Sequence, residues 1–165
     1  TDDVIALLDA ENSKYVQSAT HRIIRNRAWL IITLLQTTTA NNILIEADVD
    51  IVEYTDGKIE IKKLSIINYQ ISNSDTIATL DASQIQFPLL LRKWKTGDYF
   101  YPLGMKKKKK LARFFIDQKL SKTQKETIWI LESNQKIIWI VGQRIDDRFK
   151  ITPSTKNILQ ISFKN

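Results

Sequence analysis

The sequence predicts an α+β protein: strand-rich, with short helices packed on antiparallel or mixed sheets, in two small subdomains, residues 1–83 and 84–165. Three observations predict it. Asp56-Gly57 separates two runs of alternating apolar and polar residues, a tight-hairpin signature. TIWILES and KIIWIVG flank Asn134-Gln135 in the same way. Between these strand-rich parts, Leu111, Phe114 and Phe115 fall at helical spacing, and Ser121 with Gln124 forms the capping-box pattern that opens a second short helix.

Taken in order, DDVIALLDA (residues 2–10) reads as a short helix. HRIIRNRAWLIITLL (21–35) reads as two strands around a turn at Arg25–Arg27, and Asn41–Asn42 breaks the pattern. Residues 43–64 carry the Asp56-Gly57 hairpin, and the polar residues 70–76 form a loop. TIATLDASQIQFPLLLRKW gives further short strands, with Pro88 at an edge or bend and a change of composition near Ser83–Phe87 that sets the expected boundary. TGDYFYPLGM is a turn-rich loop, and ILQISF (158–163) is a closing strand.

Of the 165 residues, 43% are hydrophobic and 26% charged, a composition that can bury a core. The absence of cysteine excludes disulfides and thiol chemistry. With no apolar run of membrane-spanning length, it leads to the expectation of a cytoplasmic protein without membrane association. Gly57, Gly97, Gly104 and Gly142 lie too far apart for a Walker loop or a dinucleotide fingerprint. His21, the one histidine, sits in a strand-and-turn pattern without an orienting partner. Asp146-Asp147 is expected to face solvent or to pair with Arg144 or Arg148. No catalytic or metal-binding set is expected.

The charge is the informative feature. Net charge is +7, yet Arg92 to Lys125 holds 12 Lys/Arg against 2 Asp/Glu, while the remainder holds 13 against 16. A field this localised predicts a polyanionic partner. Its centre is Lys106, Lys107, Lys108, Lys109 and Lys110, running into the Leu111 helix. Five adjacent like charges repel one another and oppose the helix dipole, and a docked anion relieves both penalties. These lysines and Arg113 are the candidate phosphate contacts; Arg92, Lys93, Lys95, Lys119 and Lys122 would widen the patch. Arg92, Arg144 and Arg148 are candidates for shape or base readout. Trp94, Tyr99, Phe100 and Tyr101 are interleaved with these cations and are expected to be scaffold rather than base-stacking groups. A helix-turn-helix reading of residues 111–128 is disfavoured, because the second helix runs into WILES after about two turns.

These residues carry a resemblance. Arg92, Gly97-Asp98-Tyr99-Phe100, Pro102-Leu103-Gly104, the lysine run, Leu111 with Phe114-Phe115, and Trp139 to Arg144 resemble the C-terminal region of bacterial tRNA(Ile)-lysidine synthetases, densely over residues 90–152. HRIIRNRAWLI is similar to a strand pair in the middle of such proteins. The resemblance implies an ATP-dependent ligase that attaches lysine to the wobble cytidine of the CAU-anticodon isoleucine tRNA, using ATP and magnesium. The Ser-Gly-Gly-x-Asp-Ser loop of the family's catalytic domain is absent from this sequence, so the chain is expected to be the middle and C-terminal part, without cofactor, that grips the tRNA acceptor region. Implied partners are that tRNA, the N-terminal catalytic domain and a second copy in a homodimer. One departure stands out: Lys107 occupies a position where the family loop carries glycine, which puts the backbone conformation there in question. Two alternatives remain: a structural module packing on the catalytic domain or a dimer partner, and a helix-turn-helix-like DNA-binding domain.

Overall fold

The computed structural model describes three strand segments within residues 15–34 by their backbone, and residues 42–70 and 72–165 in full. The helix expected at residues 2–10 lies outside the described residues. The chain divides into two compact units, Thr1–Thr38 and Thr39–Asn165.

The first unit contains a three-stranded antiparallel sheet: β1 (Tyr15–Gln17), β2 (His21–Asn26) and β3 (Trp29–Leu34), in that order. Arg25 pairs with Leu30 and Asn26 with Trp29, so the two expected strands pair, with Arg25 and Asn26 inside the ladder rather than in the turn expected at Arg25–Arg27.

The second unit holds β4 (Asn42–Ile45), β5 (Ile51–Tyr54), β6 (Gly57–Ser65), β7 (Ile77–Asp81), β8 (Leu89–Lys93), β9 (Tyr99–Phe100), β10 (Lys109–Lys110), β11 (Trp129–Ser133), β12 (Lys136–Ile140), β13 (Arg144–Ile145) and β14 (Asn157–Lys164). Two helices, α1 (Leu111–Asp117) and α2 (Lys122–Glu126), lie between β10 and β11. One sheet runs β13-β12-β11-β8-β4, a second runs β5-β6-β14-β7, and β9 pairs with β10 alone. Every pairing is antiparallel. The boundary expected at residue 83 lies inside this unit. β4 pairs with β8, and β14 reaches back to β6 and β7, so hydrogen bonds join the two sides of that point.

The register explains the cores. Side chains alternate across a strand, and β11 sends Trp129 and Leu131 to one face and Ile130 to the other. The first face meets Ile59, Ile61, Leu80, Leu159 and Ile161 of the four-stranded sheet. The second is covered by α1 through Leu111, Phe114 and Phe115, spaced i, i+3 and i+4, against Ile128, Ile130, Ile137 and Ile140. Buried on both sides, β11 and β12 therefore read as nearly continuous apolar runs. Asn134 and Gln135 turn between them with φ of 49° and 64°, as a primed hairpin turn requires.

The other hairpin shifts by one residue from expectation. Tyr54 pairs with Gly57, so Thr55-Asp56 makes the turn. Gly57 is needed for closeness: a Cβ there would lie 2.6 Å from the Lys164 carbonyl oxygen and from the Phe163 ring. The capping box at Ser121 and Gln124 forms. With seven and five residues, α1 and α2 are too short to act as a helix-turn-helix pair, and β11 follows almost directly. Among the described residues no helix is long and apolar enough to cross a membrane.

Candidate nucleic-acid interface

The basic segment is built on carboxylates. Arg92, at the end of β8, is 8% exposed. Its guanidinium donates to both oxygens of Asp98 at 2.8 and 2.9 Å, to both oxygens of Glu132 at 3.1 and 3.2 Å, and to the Lys93 carbonyl at 3.1 Å. These contacts engage all five donors of an arginine. Burial alone would lower its pKa; the hydrogen bonds to Asp98 and Glu132 outweigh that and hold it above its ordinary value. Arg92 is thus a sealed structural cation with no donor left for a phosphate or base.

Asp98 then fixes both ends of the loop that follows. Its carboxylate accepts the Lys95 backbone N–H at 2.8 Å, and its carbonyl accepts the Leu111 N–H at 2.9 Å. β9 and β10 zip the stem, Lys110 opposite Tyr99 and Lys109 opposite Phe100. The middle of the loop is held by the Asp146-Asp147 pair. Asp146, fully buried, accepts the Tyr101 N–H at 2.9 Å and pairs with Arg148, one of its expected partners. Asp147 accepts the Gly104 N–H at 2.9 Å, and its own N–H donates to the Tyr101 carbonyl at 2.7 Å. The Gly104 hydrogen bond and then Lys150 hold the Asp147 carboxyl below its usual range. Gly104 takes φ of +85°, which glycine adopts without cost, and Lys107 is not among the positive-φ residues, so its side chain fits the loop without backbone strain.

The lysines occupy the loop and the short strand β10, ahead of α1 rather than in its first turn. Lys106, Lys107, Lys108 and Lys110 are exposed, and none has a carboxylate within 4.0 Å among the described residues. Lys109 differs: its Nζ lies 2.6 Å from Asp117, which also holds Arg113 at 3.2 Å. Lys109 first, with Arg113, draws the Asp117 carboxyl below its usual range.

Two groups of predicted cations come together. Lys109 and Arg144 lie over the Phe114 ring at 6.0 and 5.4 Å, beside Arg113. Lys108 lies over Tyr99 at 5.0 Å, Tyr99 meets Tyr101 edge-on at 6.5 Å, and Arg148 stacks on Tyr101 at 4.4 Å. Lys95, Lys119 and Lys122 are exposed, without an ion pair among the described residues. Lys119, just past the cap of α1, takes φ of 56°. Lys93 points elsewhere, 3.9 Å from Asp56 and over Trp129. Among the aromatics, Phe100 is fully buried and Trp94 packs on Phe115 at 5.0 Å while donating to the Lys125 carbonyl, so both are scaffold as expected. Tyr99 remains 46% exposed. Sequence reasoning missed the positioning acids Asp98, Asp117, Asp146 and Asp147. A signal existed for two of them: Asp98 and Asp117 are the 2 acids in the basic segment.

Fold and site together define an α+β module that presents a cationic loop on a rigid carboxylate frame. Residues 89–162 match the family model described as TilS substrate C-terminal domain, and residues 1–35 match TilS substrate binding domain. The tRNA(Ile)-lysidine synthase of Parabacteroides distasonis is 40% identical over 164 residues, covering 99% of this chain and 37% of that protein. The tRNA(Ile)-lysidine synthase of Bacteroides thetaiotaomicron is 37% identical over 92 residues, 56% of this chain and 22% of that protein. A crystal structure of a TILS C-terminal domain superposes with a TM-score of 0.63 at 18% identity, covering 74% of this chain and 96% of that one, a likeness of fold. The chain belongs to the tRNA(Ile)-lysidine synthase family, in its substrate-binding and C-terminal domains. It spans about a third or less of the length of these relatives.

Proposed function

We propose that this chain is the tRNA-binding, substrate-selecting part of an ATP-dependent ligase that attaches lysine to the wobble cytidine of the CAU-anticodon isoleucine tRNA. One observation carries the reading: Lys106, Lys107, Lys108 and Lys110 stand exposed, with no carboxylate within 4.0 Å among the described residues, on a backbone that Asp98 and Asp147 hold in place. Cations already held apart need little reorganisation to meet phosphates, and phosphate contacts set register and orientation. Arg113 and Arg144 extend this surface, whereas Arg92 supports it from beneath. ATP and magnesium act in the catalytic domain of the parent enzyme, which works in the cytoplasm. The test is binding of the isoleucine-CAU tRNA by the full chain across a salt series. Affinity falling steeply and linearly in log–log form supports the reading, and affinity for duplex DNA equal to that for tRNA refutes selectivity for RNA.

A second reading has its own observation. β4 is an edge strand, and its Leu44 is 66% exposed. Such an edge suits packing against the catalytic domain or a second copy. Both roles coexist if that edge and the lysine loop act independently.

A further inference from the structure

We propose that Tyr99 and Arg148 form a slot for one unpaired nucleobase beside the lysine loop; the inference rests on the tRNA-binding reading and names the part of the RNA that this site takes. Both residues line a hollow of about 110 Å³, together with Gly97, Gln135, Asp98 and Glu132. The hollow is far below the roughly 300–1,000 Å³ of a pocket for a whole drug-sized ligand. It suits a single flat ring with its ribose and phosphate outside, beside Lys108.

Planar groups and an adaptable edge are what an unpaired RNA base needs. Tyr99 supplies an aromatic ring that is 46% exposed, while its neighbour Phe100 is fully buried. Arg148 supplies a guanidinium whose plane is set in advance, by two hydrogen bonds to the buried Asp146 at 3.0 and 2.9 Å and by stacking on Tyr101. Gln135 is exposed at the turn between β11 and β12, and its amide can both donate to and accept from a base edge. The two acids in the lining do not repel an RNA strand strongly, because Asp98 and Glu132 are both ion-paired to Arg92. An aromatic side chain from a protein would fit the ring space but would make no use of the neighbouring unpaired lysines.

The test uses the full chain and two RNA hairpins, one blunt-ended and one with a short single-stranded extension containing 2-aminopurine. Tyr99→Ala is expected to lower affinity for the extended hairpin by about tenfold, the scale of one lost base–aromatic stack. It should leave affinity for the blunt hairpin and the salt slope for both unchanged. 2-Aminopurine fluorescence should be quenched by the unaltered chain and by Tyr99→Phe, and not by Tyr99→Ala; a matching thermal melt shows that the fold is intact. Equal loss for both hairpins, or no loss for the extended one, overturns the slot. If the unaltered chain binds both hairpins alike without quenching, the slot alone falls. If it binds neither, the tRNA-binding reading falls and the slot with it.

Discussion

Removing the lysines one group at a time separates charge that is free from charge that is already neutralised. Four lysines of the run have no carboxylate within 4.0 Å among the described residues, and the fifth, Lys109, is held by Asp117. Each phosphate contact contributes roughly 0.7–0.9 to the slope of log K against log salt. Replacing Lys106, Lys107, Lys108 and Lys110 together by alanine should therefore flatten the slope by about 3. Between about 50 and 200 mM salt, a fourfold change, the variant should lose roughly sixtyfold less affinity than the unaltered chain. Lys109→Ala frees an acid still shared with Arg113, so it should change the slope by less than one contact. Fluorescence anisotropy with labelled isoleucine-CAU tRNA reads both variants, with circular dichroism to check the fold. A slope unchanged in the fourfold variant, or a Lys109→Ala effect as large as that of any other lysine, would refute the assignment.

Three further perturbations probe the frame. Arg92→Ala strands the largely buried carboxylates of Asp98 and Glu132 and should cost about 3–5 kcal/mol in urea unfolding, the scale for breaking a buried ion pair. Gly57→Ala drives a methyl into the Lys164 carbonyl and the Phe163 ring, and about 1–3 kcal/mol of destabilisation is expected by the same assay. The Asp147 carboxyl is held below its usual range by the Gly104 N–H and Lys150, so it contributes stability fully above the unfolded value of about 3.9 and loses it as pH falls through the folded value. Acid unfolding of Asp147→Asn should therefore depend less steeply on pH below about 4 than that of the unaltered chain.

Strands were legible where local chemistry decided them. The turn at Asn134-Gln135 and the capping box at Ser121 each depend on residues within a few positions, and both formed as read. The turn at Thr55-Asp56 slipped by one residue because Gly57 answers to Phe163 and Lys164, more than a hundred residues away. A shorter but still non-local pairing hid the unit boundary: Ile45 pairs with Leu89 across residue 83, and the change of composition near Ser83–Phe87 does not reveal it. Among the site residues, the exposed lysines were visible as a charge run, since solvated charge needs no partner to declare itself. Arg92 was misplaced as a contact because its second carboxylate, Glu132, comes from another strand forty residues on. Asp146 and Asp147 read as solvated acids or partners of Arg144 or Arg148; the Arg148 pair formed, but only the tertiary fold brings the two acids under Tyr101 and Gly104.

Because Asp98 closes the loop's stem and Asp147 holds its shoulder, the interval from Met105 to Lys108 has no duty toward the core. Substitution there can add, remove or swap charge without a stability cost large enough to matter. Lys107 sits there without a positive φ, so the backbone accepts a bulky side chain at that point. Where the loop makes the phosphate contacts proposed above, its charge can therefore change while the carboxylate frame that aims it stays constant.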